Sequence, residues 1–301
     1  MNGAQLKNRA ANIQHIVDRY LRSEASVSIV AMELIQLTED TTELSLVLPT
    51  LVGDPARLRE LARHLADNEA GCRTIVRMIR QRLDSPEVAD AVEDGIERCR
   101  KLFDASVAES EESSVALYSL GSPELLAAAT DEVIGVLEEW GVCGLHRDAL
   151  EIGCGIGRLM VPLNSRMHSV VGTDVSPGMI SAARRRLETC SNVSVQLTTG
   201  QDLSEFASRS MDLIYSVDVF PYIVLSGQAL IERYFQEIHR VLRPGGDFVL
   251  FNYAYGQSRE AVNAEVHGHA QNAELRVIRA DESPFQIWNG VGWLMRKEEK
   301  E

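Results

Sequence analysis

The feature that most restricts the fold is a strand-like run that passes straight into three glycines at two-residue spacing, Ala149-Leu150-Glu151-Ile152-Gly153-Cys154-Gly155-Ile156-Gly157. Glycine lets backbone N–H groups approach a ligand with no β-carbon in the way, and open α/β sheets bind their ligands at the carboxyl ends of strands. A tight turn without a ligand is the plain alternative, and three glycines after a strand and before a helix weigh against it. The rest of the C-terminal part fits the same plan. Short apolar runs at 148–152, 169–173, 193–198, 212–217 and 247–252 alternate with helical patterns near 157–165, 176–189, 203–208, 227–241 and 257–271. That alternation marks parallel strands joined by crossover helices. Two final runs, 275–278 and 286–295, have only a loop between them and should close the sheet as an antiparallel pair. The expected fold is α/β, a doubly wound, seven-stranded and mostly parallel sheet.

Residues 3–113 show helical spacing only, with almost no aromatic residues beyond Tyr20 and Phe103. Helix starts are marked by Asp54-Pro55 and Ser85-Pro86-Glu87, because a cap oxygen takes an orphan N–H and proline lacks that donor anyway. The acidic, serine-rich run 109–114 reads as a linker. It divides the chain into an all-helical cap region, 1–113, and a ligand-binding domain, 114–301. Ser122-Pro123-Glu124 then opens a helix whose apolar face continues through Val133, Val136, Leu137 and Trp140.

Composition narrows the function classes. Among 301 residues, 45% hydrophobic and 25% charged, no stretch approaches the ~18 uninterrupted apolar residues of a membrane span. The polar start of the chain does not read as a secretory signal, so a cytoplasmic protein is expected. Five cysteines without a C-x-x-C pair argue against disulfides and zinc. His267 and His269 lack a third ligand at sensible spacing, and no metal is expected. A net charge of −14 repels polyanions at long range, which disfavours nucleic acid as a partner. The sequence carries no signal for an oligomeric state.

Two acids follow the glycine loop in order. Asp174, in Val170-Val171-Gly172-Thr173-Asp174-Val175-Ser176-Pro177, ends the second strand, where a carboxylate can accept both ribose hydroxyls of a nucleoside. Its plain alternative is to serve the next helix. Since Ser176 caps that helix and Pro177 fits its first position, Asp174 is expected to be free for a ligand. Asp202, in Thr199-Gly200-Gln201-Asp202-Leu203, follows the third strand, and can accept from an adenine amino group, cap a helix, or do both. The stretch 211–220 forms the fourth strand and its exit loop, and Arg243-Pro244-Gly245-Gly246 turns into the fifth.

Taken together, the glycine loop, Asp174, Asp202 and the Arg243-Pro244-Gly245-Gly246 turn resemble the class I S-adenosylmethionine-dependent methyltransferases over about residues 116–296. The resemblance implies a Rossmann-like sheet, S-adenosylmethionine as methyl donor and S-adenosylhomocysteine as product. By the same analogy Gly153, Cys154 and Gly155 line the methionine part of the cofactor through their backbones, Gly157 belongs to the same cofactor-binding loop, and Glu151 supports the loop or the cofactor amino group through water. Val175 and Met179 pack on adenine, Leu203 offers its backbone, and Ser216 offers a carbonyl. A nicotinamide dinucleotide is the rival cofactor, but its fingerprint spaces the glycines as G-x-G-x-x-G and the loop here reads G-x-G-x-G.

A small-molecule acceptor remains, with oxygen or nitrogen favoured over carbon by analogy. The segment 218–222 lacks the Asn/Asp-Pro-Pro-aromatic pattern of adenine-methylating enzymes. Substrate contacts are sought among Tyr118, Phe220, Tyr222, Tyr253 and Tyr255, each of which core packing would equally explain. Asp218 is the one placed candidate for a general base, although loop carboxylates are more often solvated or capping. A protein that binds the cofactor without transferring methyl is the reading from a different class, because the glycine loop reports binding only.

Overall fold

The computed structural model describes residues 3–81 and 91–299. The N-terminal part is helical: α1 (Gly3–Leu21), α2 (Val27–Thr38), α3 (Thr41–Val47), α4 (Pro55–Asp67), α5 (Glu69–Arg80), α6 (Val92–Glu109), α7 (Glu111–Val115) and α8 (Pro123–Glu139). Asp54 starts α4 as its sequence suggests, its carboxylate accepting from Ala56 and Arg57 N–H with Pro55 in the first turn. The second expected start, at Ser85-Pro86-Glu87, lies outside the described residues. Asp54→Ala should lower stability by about 1 kcal/mol, the usual worth of an N-cap, read from the shift of a urea unfolding midpoint.

Beyond α8 come β1 (Gly144–Ile152), α9 (Met160–Leu163), β2 (Met167–Asp174), α10 (Pro177–Arg186), β3 (Val193–Leu197), β4 (Met211–Val217), α11 (Phe220–Ser226), α12 (Gln228–Val241), β5 (Leu242–Phe251), α13 (Arg259–Asn272), β6 (Leu275–Glu282) and β7 (Gly292–Lys297). Among the described residues seven strands form one sheet in the order β3-β2-β1-β4-β5-β7-β6. β1 to β5 run parallel, and β7 is antiparallel to both β5 and β6, as the last two apolar runs suggested. The strand order reverses between β1 and β4, which puts the ligand crevice outside their carboxyl ends. No helix among the described residues is long and apolar enough to cross a membrane.

Two compact units account for the chain: Met1–Ser85, Ser106–Glu132 and Phe285–Asn289 in one, Pro86–Ala105, Val133–Pro284 and Gly290–Glu301 in the other. The first packs Ile13, Val17, Leu34, Ile35, Leu61 and Ile75 into its own core. In the second, Phe220 is fully buried against Phe235, Phe248 and Tyr253, beneath β4 and β5. Val92 and Ile96, from the first half of α6, pack on this second core.

Three local expectations are corrected. The run 109–114, read as a linker, is largely α7, capped by Ser110 and with Ser113 and Ser114 buried. The helix expected near 203–208 does not form. Leu203 and Phe206 face the core, Leu203 O accepts from Phe206 N–H in a single turn, and Arg240 of α12 donates to both carbonyls, so the turn is not continued as a helix. Conversely, the exit loop expected to run to Phe220 is shorter, and α11 begins at Phe220, where no helix was expected before 227.

Candidate functional site

All three loop glycines take left-handed backbone conformations, with φ of 71° at Gly153, 53° at Gly155 and 73° at Gly157. At Gly153 space adds to the demand, since a β-carbon there would come within 2.3 Å of Val219 Cγ2. The loop is fastened to β2: Cys154 N–H donates to Thr173 O at 2.8 Å and Gly155 N–H to Asp174 Oδ2 at 2.9 Å. This holds the loop open where β1 ends.

Two carboxylates flank it. Glu151 is buried in β1 and accepts from Tyr215 Oη at 2.9 Å, and burial pushes its pKa up to about 8. Asp174 is buried at the end of β2, and burial likewise pushes it up to about 6 against the hydrogen bonds it accepts. Ser176 caps α10 through Met179 N–H as its sequence suggests. Asp174 is nevertheless not free. Its Oδ2 takes Gly155 N–H and its Oδ1 takes Ser176 N–H at 2.9 Å, because two backbone donors converge where β2 meets α10 and burial forbids leaving them unpaired. A carboxylate has about four lone-pair directions, so each oxygen still has capacity for another donor.

The other sequence candidates are distributed around the same strand ends. Val175 stands beside Gly200 and Met179 is buried in α10. Asp202, partly exposed, is held below its ordinary value by the Ser204 hydroxyl and by the Ser204 N–H it accepts from in a local turn, and Leu203 is buried behind it. Ser216, fully buried near the end of β4, has an Oγ with no hydrogen-bond partner among the described residues.

On the opposite side of β4, Asp218 accepts at Oδ1 from Asn252 Nδ2 at 2.8 Å and from Tyr255 Oη at 2.6 Å. Tyr222 packs edge-on against Tyr255, 6.3 Å between centroids. Phe220 and Tyr253 are buried within the core instead, and Tyr118 lies in the first unit, stacked on Trp288.

Within the expected helical cap region, the sequence singles out no residue of α6 for the site. Asp104 Oδ1 accepts from Ser176 Oγ at 2.6 Å and Gly178 N–H at 2.9 Å, which seats it on the N-terminus of α10. Ile96 lies beside Gly200, Gly95 against Ser226, and Phe103 meets Tyr222 edge-on at 4.9 Å. This stretch therefore crosses the ends of β2, β3 and β4. Its sequence carries only helical spacing, and nothing in that spacing says which unit the helix joins.

Known proteins to which this chain is similar include methyltransferases. The family description "Methyltransferase domain" matches residues 150–250. A probable S-adenosylmethionine-dependent methyltransferase, CRG1, of Saccharomyces cerevisiae is 29% identical over 115 residues, 36% of this chain and 37% of that protein. An uncharacterized methyltransferase, C70.08c, of Schizosaccharomyces pombe is 32% identical over 122 residues, 39% of this chain and 44% of its own length. The chain thus spans about two fifths of the length of these relatives. Among solved structures, phosphoethanolamine N-methyltransferase 1 of Haemonchus contortus, in complex with phosphoethanolamine and S-adenosylhomocysteine, shares the fold. Its TM-score is 0.53 at 17% identity, covering 69% of this chain and 49% of that one.

Proposed function

We propose, for a chain that belongs through residues 150–250 to the class I S-adenosylmethionine-dependent methyltransferases, that it transfers the methyl group of S-adenosylmethionine to an oxygen or nitrogen of a small-molecule acceptor. The observation that carries this reading is the left-handed glycine loop at the end of β1, set between the buried carboxylates Glu151 and Asp174. A side chain at Gly153 would strike Val219, so the backbone there is kept bare. When bound, the cofactor supplies an electrophilic methyl on a sulfonium, a good leaving group.

The residues of the chain do the rest. Gly153, Cys154, Gly155 and Gly157 would hold the methionine part and Asp174 the ribose hydroxyls. Asp202, Val175, Met179 and Leu203 would hold adenine. Residues 92–105 of α6, which cross the ends of β2, β3 and β4, would help to exclude water, which methyl transfer requires. Net charge −14 supports an acceptor other than a nucleic acid.

S-adenosylhomocysteine at ~100 times its dissociation constant should stabilise the protein by about 2.7 kcal/mol, read as a rise in melting temperature. NAD at the same concentration should leave it unchanged, and the reverse ranking would overturn the reading. Methyl-labelled S-adenosylmethionine, incubated with the pure protein and the small-molecule fraction of a cell extract, tests turnover. Binding without movement of label would favour a non-transferring protein.

A further inference from the structure

Two non-glycine residues at the ends of adjacent parallel strands adopt left-handed conformations: Asp218 after β4, with φ 61°, and Asn252 after β5, with φ 66°. Such conformations are uncommon outside glycine, although Asp and Asn tolerate them best. Here the neighbouring backbone fixes both. Asp218 N–H donates to Phe251 O at 2.9 Å, and Asn252 N–H donates to Val291 O at 2.8 Å. The consequence is that the Asn252 amide reaches the Asp218 carboxylate, and Tyr255 Oη reaches the same oxygen. Asp218 Oδ2 takes no hydrogen bond among the described residues. Tyr255 is about half exposed, whereas Tyr222 and Phe103 form an aromatic wall beside it. A carboxylate held from one side by two donors, with its second oxygen open beside an aromatic wall, is a positioned proton acceptor.

We infer that Asp218 is the general base of this chain, that Asn252 and Tyr255 position it, and that the acceptor is a molecule whose reacting oxygen or nitrogen still carries a proton. The inference rests on the methyltransferase reading and deepens it. In the step, the acceptor lone pair forms the new bond to the methyl carbon as the carbon–sulfur bond breaks toward sulfur. The acceptor proton passes to Asp218 Oδ2, so charge balances: the sulfonium loses its positive charge and the carboxylate its negative one. Burial raises Asp218 above the ordinary carboxylate range and makes it a stronger base, while Tyr255, Asn252 and Arg158 act in the other direction. Tyr255 is itself raised well above its ordinary value by burial, so it stays protonated and serves as donor.

Three measurements on the full chain test this. Calorimetric titration with S-adenosylhomocysteine should give Asp218→Asn the wild-type affinity within about twofold, which shows that the variant folds and keeps its cofactor site. Transfer of label from methyl-labelled S-adenosylmethionine to the small-molecule fraction of a cell extract should fall at least ~100-fold in Asp218→Asn, the scale of a lost general base. The midpoint of Asp218, followed by carboxyl carbon NMR and assigned by its absence in Asp218→Asn, should coincide with the acid limb of the transfer profile. Tyr255→Phe removes a hydrogen bond that stabilises the ionised form, so both should move to higher pH together. Wild-type transfer rates in Asp218→Asn, or a profile unmoved in Tyr255→Phe, would overturn the assignment. A wild-type protein that binds S-adenosylhomocysteine yet moves no label would overturn the methyltransferase reading itself.

Discussion

Asp174→Ala should weaken binding of S-adenosylhomocysteine by at least tenfold. A hydrogen bond to a charged group is worth roughly 1.5–3 kcal/mol, so two ribose hydroxyls on this carboxylate amount to about 3–6 kcal/mol before water refills the gap. Tenfold needs only about 1.4 kcal/mol. From the sequence, with Asp174 taken as free, the melting temperature without ligand would change little. The structure alters that expectation, because Gly155 N–H and Ser176 N–H both rest on this carboxylate. The ligand-free protein should therefore also lose stability. Asp174→Asn, which keeps one acceptor but no charge, should lie between in both respects. Calorimetric titration and thermal melts of the three proteins decide it, and equal affinities in all three would remove Asp174 from the cofactor site.

Glu151→Gln should stabilise the ligand-free protein increasingly as pH rises. Glu151 has its pKa raised by burial from 4.5 to about 8, so between those values the folded chain binds a proton that the unfolded chain has lost. Stability from this group is fully present below pH 4.5 and is lost as pH rises through about 8. At about 1.4 kcal/mol per unit the whole effect is on the order of 5 kcal/mol. Asp174, raised from 3.8 to about 6, adds the same trend over a lower window. Scanning calorimetry at pH 5 and pH 8.5 should show a gap between variant and wild type that is small at the first and large at the second. A gap independent of pH would mean that Glu151 stays ionised throughout.

Much of the architecture was legible because it is written in short-range patterns. Apolar runs of strand length alternate with helical spacing, and the Asp54-Pro55 and Ser176-Pro177 starts carry their own caps. The glycine loop was legible for the same reason, since left-handed backbone and a 2.3 Å approach leave little choice of residue at Gly153. The 203–208 helix was misread because helical spacing and core-facing turns look alike until one knows where Arg240 sends its guanidinium. Asp218 was visible only as a loop carboxylate.

The sequence by itself determined the sheet, its antiparallel closing pair and the order of the carboxylates along its edge, because each rests on residues close together in the chain. Only the tertiary structure decided which distant groups meet. Asp104 reaches Ser176 across 72 residues, Glu151 meets Tyr215 across 64, and Tyr255 reaches Asp218 across 37. Those pairings fix which carboxylate is buried, which is held by backbone donors and which keeps an oxygen open. Each depends on the local dielectric and on donors brought in by packing, and neither quantity is encoded in the spacing of residues along the chain.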